Sequence, residues 1–192
     1  MRRPASAFVV GMVAVLVVRS SDAQPDLARD YESLARVAAL FPKDPKTARK
    51  TASAIAAKLE SMEYMMTAFK PRKRHGLGVG PKPGKITPDG IELYLHSVKG
   101  GIHPAALKEQ AAALEEMGRR IAAVGEIALH FDDPSFGKGN KNKKDWQARA
   151  QGLRDAGLRI AEAAARNSRD DFNAGVLAAL QQCAACHVVF RD

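Results

Sequence analysis

The chain has 192 residues, of which 46% are hydrophobic, 27% charged and 6% aromatic, and its formal net charge at neutral pH is +9. This length predicts one domain with a sizeable core, and fifteen glycines and ten prolines exclude collagen-like and wholly disordered chains. Aromatic residues are scarce and alanine is abundant, which favours packed helices over sheets.

Residues 1–23 are typical of a secretory signal peptide. Two arginines precede an apolar run over 7–18, and Ser21-Asp22-Ala23 places small residues at both positions that a signal peptidase requires. This run is short for a bilayer span, which takes about 20 residues; because Arg19 follows it closely, an uncleaved anchor is the alternative. Cleavage after Ala23 removes three arginines and one aspartate and leaves a net charge of +7. We therefore expect an exported protein, periplasmic or otherwise outside the cytoplasm.

The next residues predict an N-terminal extension over 24–44 and then a long helix. Apolar residues recur at helical spacing over 26–41. Asp44 and Pro45 are then suited to the N-cap and the first position of the long helix. This helix is predicted over 45–69, because its apolar residues step by three and four as in helical bundles. They are Ala48, Ala52, Ile55, Leu59, Met62, Met66 and Phe69.

An insertion over 70–102 separates this helix from the next one. It opens with the basic run 70–75 and continues with several glycines and prolines, which predicts a long irregular loop. Thr87-Pro88-Asp89 suits the start of a short helix that Gly100 and Gly101 would end.

Three further helices are predicted over 104–131, 144–166 and 170–192, each with an apolar face at steps of three and four. Short connections make these three helices antiparallel neighbours. The expected fold is therefore all-α: an antiparallel four-helix bundle over 45–192, with an extra short N-terminal helix and the long loop 70–102 between the first two bundle helices.

The only two cysteines of the chain lie in the sequence Cys183-Ala184-Ala185-Cys186-His187. This is the C-x-x-C-H signature of covalent c-type haem attachment. The spacing places both thiols on one helix face, where each can bond one vinyl group, with an axial imidazole beside them. A disulfide or redox dithiol is one alternative; a reactive dithiol normally lies at a helix N-terminus, and this pair lies near a C-terminus. A zinc site is another, and would need a fourth ligand.

With this ending, Cys183 to Arg191, on a four-helix bundle, the chain resembles the cytochrome c′ class, the class II c-type cytochromes. The resemblance covers 45–192, and the segments 26–41 and 70–102 depart from it. It implies that Cys183 and Cys186 carry one haem c, that His187 is the axial iron ligand, and that Arg191 lies near the proximal side of the haem.

The resemblance also implies a distal side formed by the first bundle helix. Ile55 and Leu59 are the expected haem-pocket residues, which would leave the iron five-coordinate and able to bind gases. Met62 is the candidate sixth ligand, although a methionine stripe is usually core packing. The other histidines are expected to be solvated or capping, with a second histidine ligand from the long loop as the less favoured alternative.

The expected function is that of an exported monohaem c-type cytochrome, not an enzyme, which transfers one electron or binds a diatomic gas such as NO or CO. A peroxidase-like enzyme would need a distal acid–base residue, which the inner face of 45–69 does not offer. A haem-free bundle with a Cys183–Cys186 disulfide is the third hypothesis. The expected partner is an unidentified redox protein, and homodimerisation is left open. The basic segments 70–75 and 138–144 have no interleaved aromatic residues, and we expect no nucleic-acid binding.

Overall fold

A computed structural model describes residues 27–191, and the predicted signal peptide lies outside this range. Seven α-helices form the described part, with no strand between Leu27 and Arg191, so the fold is all-α as predicted. The helices are α1 (Leu27–Leu40), α2 (Pro45–Ala56), α3 (Met62–Thr67), α4 (Ile91–Ser97), α5 (Pro104–His130), α6 (Lys143–Arg166) and α7 (Arg169–Phe190).

The three long helices α5, α6 and α7 pack side by side in an antiparallel order. Gly118 in the middle of α5 approaches Ala161 near the end of α6, whereas Gly125 further along α5 approaches Arg154 earlier in α6. Glycines allow this close approach because they have no Cβ. The α6–α7 connection is short, and Asn167 ends α6 in the left-handed conformation with φ 53°. The predicted bounds of these three helices agree with the structure to within about two residues.

The predicted helix over 45–69 is not continuous in the structure, and this expectation was wrong. Asp44 caps α2 as expected, with its side chain accepting from the backbone N–H of Thr47 at 3.1 Å. After Ala56, however, the backbone tightens into turns, and a new helix, α3, begins at Met62. The hydroxyl of Ser61 caps α3 by accepting from the N–H of Glu63 at 3.1 Å. A serine cap competes with helix continuation, which explains a break that apolar periodicity alone cannot predict.

The N-terminal helices pack mainly on α5. Both α1 and α2 pack on α5 and on each other, and α3 packs on α1 and α5. Besides α6, α4 also packs on α7, and α4 lies within the insertion 70–102. The insertion is therefore not only an irregular loop: Val79, Ile86 and Ile91 belong to the hydrophobic core.

Side-chain and backbone hydrogen bonds hold the insertion in place. The guanidinium of Arg72 donates to the carboxylate of Asp89 and to the carbonyl of Gly80. The N–H of Glu92 donates to the carbonyl of Phe69 at 3.1 Å, which joins the start of α4 to the end of the α3 region. These bonds bring α4 next to the C-terminal half of α7.

Candidate functional site

The C-x-x-C-H residues lie in the last third of α7. Cys183 and Cys186 are half-buried and pack against the hydrophobic core, whereas His187 is exposed. Because the cysteines are three positions apart on a helix, their side chains lie on one face. The structure therefore brings both thiols to the core side of α7, with the imidazole beside them.

A cavity with about 980 Å³ of space free of protein atoms, including its mouth to solvent, adjoins this motif. Its walls come from α3, α4, α5, α6 and α7, together with the segment that follows α3. The lining residues are Met66, Phe69, Glu92, Leu95, His96, Ala128, Trp146, Arg149, Ala150, Leu153, Leu180, Gln182, Cys183, Ala184, Cys186 and His187. Most of them are apolar, as is usual for cofactor pockets.

Both cysteine thiols are held in their neutral form. Burial is the main cause that raises the pKa of Cys183 to about 11, with smaller contributions from the nearby Cys186 and Glu92. Burial also raises the pKa of Cys186 to about 11, although the guanidinium of Arg149 lowers it in part. A reactive dithiol requires a thiolate, which these surroundings disfavour. Both residues are free cysteines in the structure.

The geometry offers no preformed zinc site. Within residues 27–191, no three histidine, cysteine, aspartate or glutamate side chains are grouped so that they could hold a metal ion. Cys183, Cys186 and His187 are neighbours along α7, but they do not converge on one point as tetrahedral ligands must. This arrangement suits a large planar group that is bonded at several separate points.

An aromatic cluster closes the C-terminal end of the cavity. The ring of Trp146, on α6, makes edge contacts with Phe190 at 5.2 Å between centroids. Phe136, in the loop before α6, contacts Trp146 at 5.8 Å and Phe190 at 6.3 Å. Arg191 is exposed directly after the end of α7. The cluster fixes the last turn of α7 against α6.

The predicted distal residues lie elsewhere. Ile55 at the end of α2 and Leu59 in the break are half-buried against the core, and Met62 is buried there. None of the three lines the cavity next to the cysteines. Because α2 packs on α5 and the helix breaks before α3, the apolar stripe of 45–69 does not run along α7 as a continuous helix would.

The cavity is lined instead by residues that the site assignment from the sequence did not include. Met66 comes from α3, and Glu92, Leu95 and His96 come from α4 in the insertion. The spacing of Glu92, Leu95 and His96, three and four positions apart, marks one helix face. That spacing was visible in the sequence, but it did not show which helix this face would meet.

The chemistry of the lining fits a covalently bound haem. Two neutral thiols and an imidazole share one wall, the other walls are largely apolar, and the guanidinium of Arg149 at the mouth suits a propionate. The wall also contains the one buried side-chain polar atom of the described residues with no hydrogen-bond partner, Oε1 of Gln182.

Searches among protein-family models, curated proteins and solved structures found no match for the chain. The resemblance to class II c-type cytochromes therefore depends on the residues of α7 themselves. By length and composition alone, α7 is also the one helix of the described part that could cross a membrane, with 22 residues and a mean hydropathy of 1.3 over its most apolar window. In the structure this helix packs on α6 and lines the cavity.

Proposed function

We propose that this protein is an exported monohaem c-type cytochrome of the class II type, with haem c bonded to Cys183 and Cys186 and His187 as an axial iron ligand. The single observation that supports this most is the cavity itself: both thiols and the imidazole line the same largely apolar space. We propose in the same way that α2 and α3 together replace the first helix of a four-helix bundle.

Bound in this cavity, a haem supplies a one-electron iron couple and a coordination position for a small ligand. The residues of the chain provide the environment. Leu153, Leu180 and Ala150 exclude water, which favours the less charged state of any group enclosed there. The two thiols hold the group in one orientation, and His187 provides an imidazole at a fixed place on α7.

The charge around the cavity supports electron exchange with an acidic protein partner. The basic segment 70–74 directly follows the cavity residue Phe69, and Lys143 and Lys144 lie just before Trp146, with Asp145 between Lys144 and Trp146. Arg149 lies at the cavity as well, whereas Glu92 is the one acidic residue in its lining. Charges of one sign around a site raise the encounter rate with partners of the other sign. We also propose that a diatomic gas can bind the haem iron, because the cavity opens to solvent.

The experiment is expression of the full chain with export and c-type haem maturation, followed by acid–acetone extraction and intact-mass measurement. We expect haem absorption that resists extraction, a mass increased by one haem, and a mature chain that begins at residue 24. The Cys183→Ser and Cys186→Ser variants should each keep at most one thioether bond, and the double variant should keep no covalent haem.

Met62→Leu is the matched control, since this side chain lies in the core away from the cavity lining, and it should retain covalent haem. A protein of unchanged polypeptide mass, or a mass lower by two hydrogens as a disulfide requires, would reject the proposal. Circular dichroism of each variant shows whether the helices remain formed.

A further inference from the structure

We propose that His96, in the insertion 70–102, is the second axial ligand of the iron, so that the site has two imidazoles. The inference rests on the proposed function, because it concerns the sixth position of the same haem. It depends on one juxtaposition: His96 from α4 and His187 from α7 line one cavity together with both cysteines.

The helix that carries His96 is firmly positioned. Ile91, Tyr94 and Leu95 of α4 are buried. The hydroxyl of Tyr94 donates to Oε1 of Gln110 on α5 at 2.8 Å, which fixes the rotation of α4 about its own axis. This rotation places Glu92, Leu95 and His96 at the cavity.

The remaining histidines of the described chain have other roles. His103 caps α5, with its Nδ1 accepting from the N–H of Ala105 at 3.3 Å. His130 bonds the buried Glu126 at 3.2 Å, and His75 lies in a turn away from the cavity lining. Within residues 27–191, the imidazole of His96 makes no hydrogen bond or ion pair, so its ring nitrogens can coordinate a metal.

Met66 is the competing side chain, because its thioether also lines the cavity. It belongs to α3, which packs on α1 and α5, and it is half-buried against the hydrophobic core. His96 belongs to the helix that packs directly on α7. The exposed imidazole of His96 can rotate about its side-chain bonds without opening a gap in the core. Movement of the Met66 side chain out of the core would leave a cavity there.

Two axial imidazoles would close the iron to external ligands until His96 dissociates. The protein would then be a dedicated electron carrier, and gas binding would require displacement of His96. The apparent affinity for a gas falls in proportion to the fraction of molecules in which the sixth position is open.

The experiment uses the purified haem-loaded protein, and electron paramagnetic resonance and absorption spectra report spin state. We expect a low-spin ferric iron with the signature of two imidazoles. His96→Ala should convert it to high spin, raise the affinity for carbon monoxide by at least about tenfold, and raise the reduction potential. Added free imidazole should restore the low-spin spectrum of His96→Ala.

His75→Ala, in the same insertion and outside the cavity lining, is the control and should keep the low-spin spectrum. A thioether absorption band that is lost in Met66→Leu would overturn the inference, as would a high-spin wild-type protein. If the wild-type protein is high-spin and consumes peroxide, and His96→Ala loses this activity, the inference would be overturned and His96 would have a distal acid–base role instead. In all these outcomes the haem is attached, whereas absence of covalent haem would reject the proposed function instead.

Discussion

The indole N–H of Trp146 on α6 donates to the carbonyl of Ala128 on α5 at 2.7 Å, and both residues line the cavity beside the C-x-x-C-H motif. The bond joins two helices at the point where the cavity begins. Because the same indole contacts Phe190 of α7, one side chain connects all three long helices at this end of the molecule. Trp146 is also the only tryptophan in the sequence, so its fluorescence reports on the cavity alone.

Haem attachment should strongly quench the fluorescence of Trp146. Energy transfer from an indole to a porphyrin is efficient at the short separations found within one cavity. The comparison is between the wild-type protein and the Cys183→Ser/Cys186→Ser double variant, which should fluoresce brightly. Equal emission from the two proteins, with haem shown to be attached to the first, would place the haem outside this cavity.

The buried ion pair between Glu126 and Arg154 should be a large contributor to stability. Glu126 is 1% exposed and accepts from Arg154 Nη1 at 3.1 Å. Arg154→Met should lower the free energy of unfolding by about 3 kcal/mol, because it removes the guanidinium from a buried carboxylate that then keeps only its bond to His130. Urea denaturation measures the change.

Arg119→Met is the matched control for this ion pair. Arg119 bonds Glu115 and Glu116 on the same helix, and both carboxylates are much more accessible than that of Glu126. Its loss should cost no more than about 1 kcal/mol. Similar costs for Arg119→Met and Arg154→Met would contradict the importance of burial.

The close packing of α5 on α6 should depend on Gly118. A Cβ at this position would lie 2.5 Å from the backbone nitrogen of Ala161 and 2.7 Å from the carbonyl of Gly157. Gly118→Ala should therefore force the helices apart and lower the free energy of unfolding by about 1–3 kcal/mol or more. Gly100→Ala is the control, because no atom lies within 4 Å of its Cβ position. Thermal unfolding measures the stability of both variants. A Gly118→Ala protein as stable as the wild type would show that α5 and α6 lie further apart than these distances indicate.

Ionisation of Tyr94 should weaken the fold at alkaline pH. Burial raises the pKa of Tyr94 to about 12, above the ordinary value of 10. Below pH 10 the phenol is neutral in both states, and its contribution to stability is fully present. As the pH rises from 10 towards 12, the unfolded state loses this proton before the folded state does, and stability falls.

The size of this alkaline loss is limited to about 2 kcal/mol. Urea denaturation across this pH range should show a smaller decline for Tyr94→Phe, which cannot ionise, than for the wild type. Parallel declines for the two proteins would mean that Tyr94 ionises at its ordinary pKa in the folded state.

Electron exchange of the haem-loaded protein with the anion ferricyanide should slow as salt concentration rises, because basic residues surround the cavity. Lys73→Glu and Lys144→Glu, both exposed and close in sequence to cavity residues, should slow it further. Lys108→Glu should have little effect. It lies near the start of α5, and the cavity meets this helix twenty residues later, at Ala128, about 30 Å away. Stopped-flow absorption measures the rates, and equal effects of all three variants would indicate net charge rather than a local patch.

Local features of the sequence determined much of this structure. The all-α class, α1 and the three long helices follow from apolar residues at helical spacing, and Asp44 caps α2 through its own side chain. The sequence also placed Cys183 and Cys186 on one face of a helix, because a spacing of three residues lies within a single helical turn. These properties depend on contacts between residues a few positions apart.

The walls of the cavity were decided only by the tertiary structure. Apolar periodicity predicted a continuous helix over 45–69, and the resemblance to class II c-type cytochromes implied that its residues Ile55 and Leu59 would face the haem. In the structure α2 packs on α5, and the Ser61 cap interrupts the helix before α3. α4 lies against α7 instead, and it brings His96 to the cysteines. Periodicity shows that a helix has an apolar face, but the partner of that face depends on how all the helices fill the core together.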